Sequence, residues 1–373
     1  MKNTSIQTLQ GWIILSRPPF HTVGILPFVL GTFLAYRLTG SFDPEVFGLG
    51  VAGVILILLS TYHSGEYFDR RENAISARIH ENPFAGGTRM ITEGKVPARV
   101  ALWTSIITIF MAFIIGVVLQ FVYNTGPYTL LIGFLGAVPG FFYSTEPVRL
   151  VKRGVGELFI GFCFGWLPVA SSYYIQTASI APVIHWLWMP IGFSIFNVIL
   201  LNEFPDYEAD IATGKKNLLY RIGKQKGKIV YIIFNLLTCL TMLTSPCFGV
   251  PFKVIYFYLP FVAVALFIVF QMLKNRHEDA RWLKILCGLN IAGKHAAHGI
   301  SEPLAELLRM ACPSWFFIHA GSQRRLGNGL HRLSGASRVG SHRRLQSALH
   351  PLPCHKRPGC PRRTDYRRRK KAH

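Results

Sequence analysis

Charge is scarce in this chain. Only 16% of its 373 residues are Asp, Glu, Lys or Arg, while half are hydrophobic. Apolar residues at that density, gathered in long runs, predict a polytopic membrane protein rather than a soluble core. Acidic residues are the scarcer kind, 18 against 40 basic, which leaves a formal charge of +22. The excess is uneven, because residues 294–373 alone hold 17 Lys and Arg against 3 Asp and Glu. A nucleic-acid partner argued from total charge would rest on that tail, and none is expected. Paired cysteines are lacking too. Seven stand scattered with no CxxC spacing, so neither a disulfide framework nor a zinc site is indicated. The opening stretch, MKNTSIQTLQGWIILSRPP, is polar and mildly amphipathic and lacks the pattern of a cleavable signal peptide.

What is present is a series of runs apolar enough to cross a bilayer, at about 20–37, 46–62, 100–122, 127–143, 155–175, 183–203, 229–248 and 254–273. They predict an all-α bundle of eight to nine transmembrane helices. Pro27, Pro139, Pro168 and Pro190 fall inside them, as a bundle tolerates where neighbours satisfy the freed backbone groups. Positive charge then orients the bundle. The segment before the first run, the connections after the second, fourth and sixth, and the start of the segment after the eighth carry 21 of the 23 Lys and Arg in residues 1–293. The opposite loops carry Arg37 and Lys253. By the positive-inside rule the first set is cytoplasmic. The chain is therefore expected in the inner or cell membrane, with its active site facing the cytoplasm. The long polar connections on that side, 63–99, 144–154 and 204–228, are where chemistry is expected.

The most informative stretch is 202–223, NEFPDYEADIATGKKNLLYRIG. It sets Glu203, Asp206 and Asp210 at i, i+3 and i+7, three carboxyl groups on one helical face, with Lys215 and Lys216 just past a glycine. Carboxylates at a membrane boundary are costly unless something cationic sits there, and magnesium carrying a diphosphate fits. At the end of the second run, YHSGEYFDRREN (62–73) repeats the spacing with Glu66, Asp69 and Asn73, and Glu72 lies beside them. Oxygen ligands suit Mg²⁺, which bridges a few carboxylates to phosphate oxygens. The plainer reading is a pair of solvated helix ends with local ion pairs to Arg70, Arg71 or Lys215. Recurrence of the spacing on one side of the bundle favours the ligand.

Two further stretches carry weaker signals. In PFAGGTRMITEGKVP (83–97), the Gly86-Gly87 turn can approach an anion and Arg89 offers a fixed fork for phosphate oxygens, although such turns are common in loops. In YSTEPVRLVKRGVGELFIG (143–161), Tyr143, Arg149, Lys152 and Arg153 cluster, which membrane anchoring alone explains. Glu157 opens an apolar helix there and should want a partner.

These motifs resemble the UbiA superfamily of intramembrane prenyltransferases, most of all its 1,4-dihydroxy-2-naphthoate polyprenyltransferase branch. The similarity covers about residues 10–275. It rests on SRPPFHTVGILPFVLGT, on EYFD (66–69), on GGTRMITEGKVP, on Tyr143 through Gly161, and on DYEADIATGKKNLLYRIG (206–223). The resemblance implies nine helices around a lipid-facing cavity. It implies Mg²⁺ held on a polyprenyl diphosphate by Glu66, Asp69 and Asn73 and by Asp206 and Asp210, with Asp69, Asp206 and Asp210 as the catalytic carboxylates. It implies that Arg89, Lys152 and Lys215 neutralise the phosphates, and it nominates His21, Tyr67 and Tyr143 as contacts of a small aromatic acceptor. The family's first motif reads NDxxDxxxD; here Gly65, Glu66, Asp69 and Asn73 stand at those positions, which predicts a weaker first metal site.

The activity this implies is transfer of a polyprenyl group to an aromatic quinone precursor of the menaquinone type. Charge on the departing diphosphate is stabilised electrostatically, and an allylic cation forms in a water-excluding cavity. Other acceptors remain open: 4-hydroxybenzoate, haem, a chlorin or a glycerol phosphate lipid. A non-catalytic membrane protein or a transporter of small anions is the rival class. Carboxylates at helix ends on one side favour the enzyme.

Beyond about residue 294 the chain is rich in Arg, His, Ser, Gly and Pro. It reads as a disordered basic tail touching anionic lipid headgroups, or as the product of a reading-frame shift near 290–294. The run LKILCGLNIAG (283–293) starts apolar and stops halfway, so the ninth helix is expected to be missing or replaced by the tail.

Overall fold

A computed structural model of the protein describes residues 10–79 and 87–298, and within them every regular element is helical. After a helical turn at 10–15, the chain runs through α1 (Pro18–Thr39), α2 (Pro44–Phe68), α3 (Arg70–Ile79) and α4 (Ala98–Val117), whose last turn continues as a π-helix over Val118–Val122. Next come α5 (Thr129–Phe141), α6 (Gly156–Phe164), α7 (Trp166–Thr177), α8 (Ile184–Thr213) and α9 (Leu218–Leu243). The described chain closes with α10 (Lys253–Leu273) and α11 (Ala280–His298). Among the described residues, seven spans are long and apolar enough to cross a membrane, with α6 and α7 together making one of them, and α5 is a shorter apolar helix. Every expected run overlaps a helix.

Local sequence sets the boundaries. Gly40 takes φ 74° and ends α1, its N–H donating to the Tyr36 carbonyl at 2.9 Å. Asp43 starts α2: its Oδ1 accepts the N–H groups of Glu45 and Val46 at 2.9 and 3.1 Å, and Pro44 fills the first turn. Between α6 and α7 the helix breaks at Gly165, where a Cβ would lie 2.7 Å from Cα of Gly192 on α8. Only glycine allows that approach. The principal packing pairs α2 with α4, α8 with α9, and α1 with α7.

Two expectations change. The connection expected over 204–228 shrinks to 214–217, because α8 runs on through the acidic stretch and α9 begins at Leu218, kinked at Gly223 with φ 77°. A further helix stands where the ninth was expected to be lost, although it is not among the seven spans apolar enough to cross a membrane. α11 spans Ala280–His298 and crosses the point where the run at 283–293 was expected to stop. Its buried residues Leu283, Leu286, Cys287 and Asn290 follow i, i+3, i+4 and i+7, one apolar face of an amphipathic helix. A search for continuous apolar runs does not find such a pattern. The helix is tied to α8 and α9 by Asn290, whose Nδ2 donates to the Asn197 carbonyl and whose Oδ1 accepts the Tyr231 hydroxyl, both at 3.3 Å. The expectation of a disordered or frame-shifted tail falls mainly on 299–373, outside the described residues.

Candidate functional site

The two acidic stretches meet. A cavity of about 440 Å³ is lined at one end by Glu66, Asp69 and Asn73 and by Asp206, Asp210 and Lys215. Apolar side chains of α1, α2, α6 and α7, among them Phe28, Ile57, Phe159 and Leu167, line much of the remainder. The charged lining residues thus come from the two acidic stretches, with Arg17 and Lys215 beside them, while most of the remaining wall is apolar, a shape suited to a ligand with an anionic head and a hydrocarbon tail.

The second stretch keeps its helix, so Glu203, Asp206 and Asp210 share a face as expected. α8 then stops at Gly214, with φ 66°, and the chain turns back. The Lys215 N–H donates to the Asp210 carbonyl at 2.9 Å, and its ammonium lies 4.0 Å from Asp210 Oδ1. Asn217 donates through Nδ2 to Asp210 Oδ2 at 2.6 Å, while its own Oδ1 accepts the Tyr220 N–H and caps α9. Burial by itself would lower the Lys215 pKa, but Asp210, Asp69 and Asp206 outweigh it and hold the ammonium charged beyond its usual range. Carboxylates from both stretches therefore act on one cation.

The first stretch breaks briefly at Asp69, yet the Asp69 N–H still donates to the Gly65 carbonyl at 2.9 Å and the Asn73 N–H to the Asp69 carbonyl at 2.8 Å, and Glu66, Asp69 and Asn73 line the cavity together. α2 ends at Phe68 with Asp69 as its C-cap, and α3 begins at Arg70. Asp69 is held on both oxygens: Ser144 Oγ donates to Oδ2 at 2.6 Å and Arg149 Nη2 to Oδ1 at 2.7 Å. The same guanidinium reaches Glu72 Oε1 at 3.1 Å. Glu66, 3% exposed, is engaged by segments distant in sequence, since its Oε1 accepts Arg17 Nη2 at 2.6 Å and the Thr88 N–H at 2.8 Å. Gly87 lies against the Asn73 side chain, where no Cβ would fit.

Tyr143 also lines the cavity. Burial, reinforced by the carboxylates of Glu157, Glu203, Asp69 and Asp210, pushes its hydroxyl pKa up, so the group stays a proton donor. Arg89 and Lys152 are not among the lining residues. Lys152 points to Glu72 at 3.4 Å, and Arg89 sits at φ 61° in the turn that begins the 89–94 loop. His21 and Tyr67 lie outside the lining too: His21 Nε2 meets the Ser16 carbonyl at 2.9 Å, and the Arg70 guanidinium covers the Tyr67 ring.

The donor set fits magnesium in kind. All its groups are oxygens, and Oδ1 of Asn202 at the same end is buried with no hydrogen-bond partner. Among the described residues no three carboxylate, imidazole or thiol groups converge on one point. Mg²⁺ seldom uses an all-protein cage and takes one or two carboxylates plus phosphate oxygens, so a divided set on facing walls suits it.

The profile of the UbiA prenyltransferase family matches residues 25–292, which span both acidic stretches and α11 as far as the cavity-lining Ile291. The chain belongs to the UbiA prenyltransferase family. It is 27% identical over 230 residues to a 2-carboxy-1,4-naphthoquinone phytyltransferase of Synechocystis, covering 61% of this chain and 71% of the relative. It is 28% identical over 218 residues to a 1,4-dihydroxy-2-naphthoate octaprenyltransferase of Bacillus subtilis, covering 58% and 67%. In fold it is similar to a UbiA homologue of Archaeoglobus fulgidus solved with GPP and Mg²⁺, with a TM-score of 0.55 at 15% identity over 77% of this chain and 99% of that one. The apo UbiA homologue of Aeropyrum pernix K1 superposes with a TM-score of 0.58 at 16% identity over 76% and 98%. As a UbiA-family protein the chain is a prenyltransferase built as a membrane helical bundle.

Several site residues of this UbiA-family chain were not singled out in its sequence. Arg17 stands in the SRPP segment but is brought to Glu66 across 49 positions. Ser144 carries no signal. Asn217 carries one, an Asn directly before an apolar helix, which is the pattern of an N-cap.

Proposed function

We propose that this prenyltransferase moves a polyprenyl group from its diphosphate to a naphthoate-type aromatic precursor of a quinone, with Mg²⁺, from the cytoplasmic side of the cell membrane. The observation that carries the reading is the meeting of two acidic stretches at one end of an apolar cavity. Relatives named for naphthoate substrates support the acceptor class. The bias of Lys and Arg toward one set of connections supports the orientation.

Asp69, Asp206 and Asp210 would hold the metal, which when bound supplies positive charge to the diphosphate oxygens. Lys215, kept charged by its carboxylate neighbours, contributes a second positive group at the same end. The apolar walls exclude water, so a cation forming on the allylic carbon meets the acceptor ring before hydroxide. The Tyr143 hydroxyl, which lines the cavity and is held protonated, would donate a hydrogen bond to an acceptor oxygen.

The test uses membranes containing the protein, a labelled polyprenyl diphosphate, Mg²⁺ and a panel of acceptors: 1,4-dihydroxy-2-naphthoate, 4-hydroxybenzoate and a glycerol phosphate lipid. Prenylation of the naphthoate above the others is expected. Preference for another acceptor overturns the acceptor assignment, and product without divalent cation overturns the metal.

A further inference from the structure

Near the polar end of the cavity lie two acidic side chains that the mechanism above does not use. Glu157, in the first turn of α6, is 0% exposed, and Glu203, on α8, is 8% exposed. Both serve the start of α9. Oε1 of Glu157 accepts the Leu218 N–H at 3.1 Å, and Oε2 of Glu203 accepts the Leu219 N–H at 3.2 Å. With Asn217 accepting from Tyr220, three consecutive N–H groups of the first turn are each taken by a side chain. Those groups would otherwise be unsatisfied in a buried place.

The two carboxyl groups converge on consecutive N–H groups of one helical turn. Oε2 of Glu157 is buried and receives no N–H or hydroxyl hydrogen from the described residues. A helix start presents about half a positive charge, enough to favour one carboxylate, while two ionised carboxylates side by side out of water repel. Lys215 does not neutralise both, because Asp210, Asp69 and Asp206 share its charge with Glu203. Tyr143, the other titratable neighbour, is neutral. One O–H placed between the acids removes the repulsion and satisfies the orphaned oxygen together.

We propose that Glu157 and Glu203 hold one proton between them and act as a positioning pair, clamping the start of α9 so that Lys215 and Asn217 face the diphosphate. The coupling is short. Asn217 is both the cap of α9 and a donor to Asp210, and its N–H donates to the Lys215 carbonyl at 2.9 Å. Loosening the first turn of α9 frees the loop that carries the lysine. The pair acts through that loop and touches no reacting atom, and its importance for turnover rests on the prenyl-diphosphate reading of the cavity.

The experiment has two arms on the full-length protein in lipid nanodiscs. The first reads the carboxylic-acid C=O stretch by infrared difference spectroscopy of wild type against Glu157→Gln and Glu203→Gln. A shared proton predicts one band, lost in both variants. A band unchanged by either substitution overturns the pair, and this arm stands even if no acceptor is ever prenylated. The second arm reads steady-state kinetics. Glu157→Gln keeps a hydrogen-bond acceptor for Leu218 and a donor for Glu203, so the KM for the prenyl diphosphate stays within about threefold of wild type. Glu157→Ala removes both and raises that KM by about tenfold or more, with the acceptor KM unchanged. A glutamine variant as impaired as the alanine variant, or an alanine variant with an unchanged diphosphate KM, overturns the positioning role. Should the alanine variant fail to fold, the infrared band and the glutamine kinetics decide.

Discussion

Arg149 occupies one side of Asp69, with Nη2 2.7 Å from Oδ1, and bridges it to Glu72 at 3.1 Å. Each carboxylate oxygen has two acceptor positions, and Ser144 takes one on Oδ2, so each oxygen of Asp69 keeps one for a metal. The guanidinium therefore aims the carboxylate without using it up. Arg149→Met should lower activity by about 10- to 100-fold, the usual cost of losing an outer partner of a ligand, and should raise the Mg²⁺ concentration for half-maximal rate. Arg149→Lys should recover little, because an ammonium lacks the rigid fork that spans Asp69 and Glu72. A Mg²⁺ titration of initial rates checks both.

Asp69→Asn and Asp206→Asn should each reduce turnover by about a hundredfold or more, on the scale of losing a preorganised electrostatic group. The measurement is product formation at saturating prenyl diphosphate. Full activity in both variants would remove these residues from the site.

The contrast between these residues shows what a sequence can carry. Glu203, Asp206 and Asp210 were legible because their spacing lies on one unbroken helix, where position alone fixes direction. The eight apolar runs were legible from composition, since a bilayer demands length. α11 was not, because only one of its faces is apolar. The partners of Glu66 and Asp69 were not either: Arg17, Thr88, Ser144 and Arg149 arrive from 22 to 80 positions away. Those pairings are products of packing, and no local pattern announces them.

Lys215→Met should separate two affinities. Removing the ammonium takes a charge-assisted contact, about 1.5–3 kcal/mol, from diphosphate binding, so the KM for prenyl diphosphate should rise at least tenfold. The same change leaves Asp210 without its internal cation, so the Mg²⁺ needed for half-maximal rate should not rise. Measuring both constants on one preparation checks the split.

Glu72 gives the polar end an acid limit. Burial alone would raise its pKa, but a backbone hydrogen bond and the charges of Arg149 and Lys152 bring it below its ordinary value of 4.5. A depressed carboxyl contributes stability that is complete above the unfolded pKa and lost as pH falls through the folded one. Glu72→Gln should therefore melt below wild type at neutral pH, and the gap should shrink as pH drops under 4.5. Thermal unfolding across that range supplies the comparison.

Asn290→Ala should loosen α11. It deletes hydrogen bonds to the Asn197 carbonyl and from the Tyr231 hydroxyl, each worth on the order of 0.6 kcal/mol and at most about 1.7 between membrane helices. A lower melting temperature in detergent is expected, with the order of acceptor preference unchanged.

Glu66 fastens two straps with one buckle. Its Oε1 takes the Arg17 guanidinium from the segment before α1 and the Thr88 N–H from the loop before α4, and the two straps touch through Leu15, Met90 and Val96. Neither half of the fastening yields to salt. Arg17 keeps 27% of its side chain exposed, and at 1 M ionic strength charges in water are screened beyond about 3 Å, while an amide N–H on a buried oxygen is indifferent. The Arg17 contact, at 2.6 Å on a buried oxygen, lies inside that length, so salt leaves both straps seated, and only loss of the Glu66 carboxylate releases the two together.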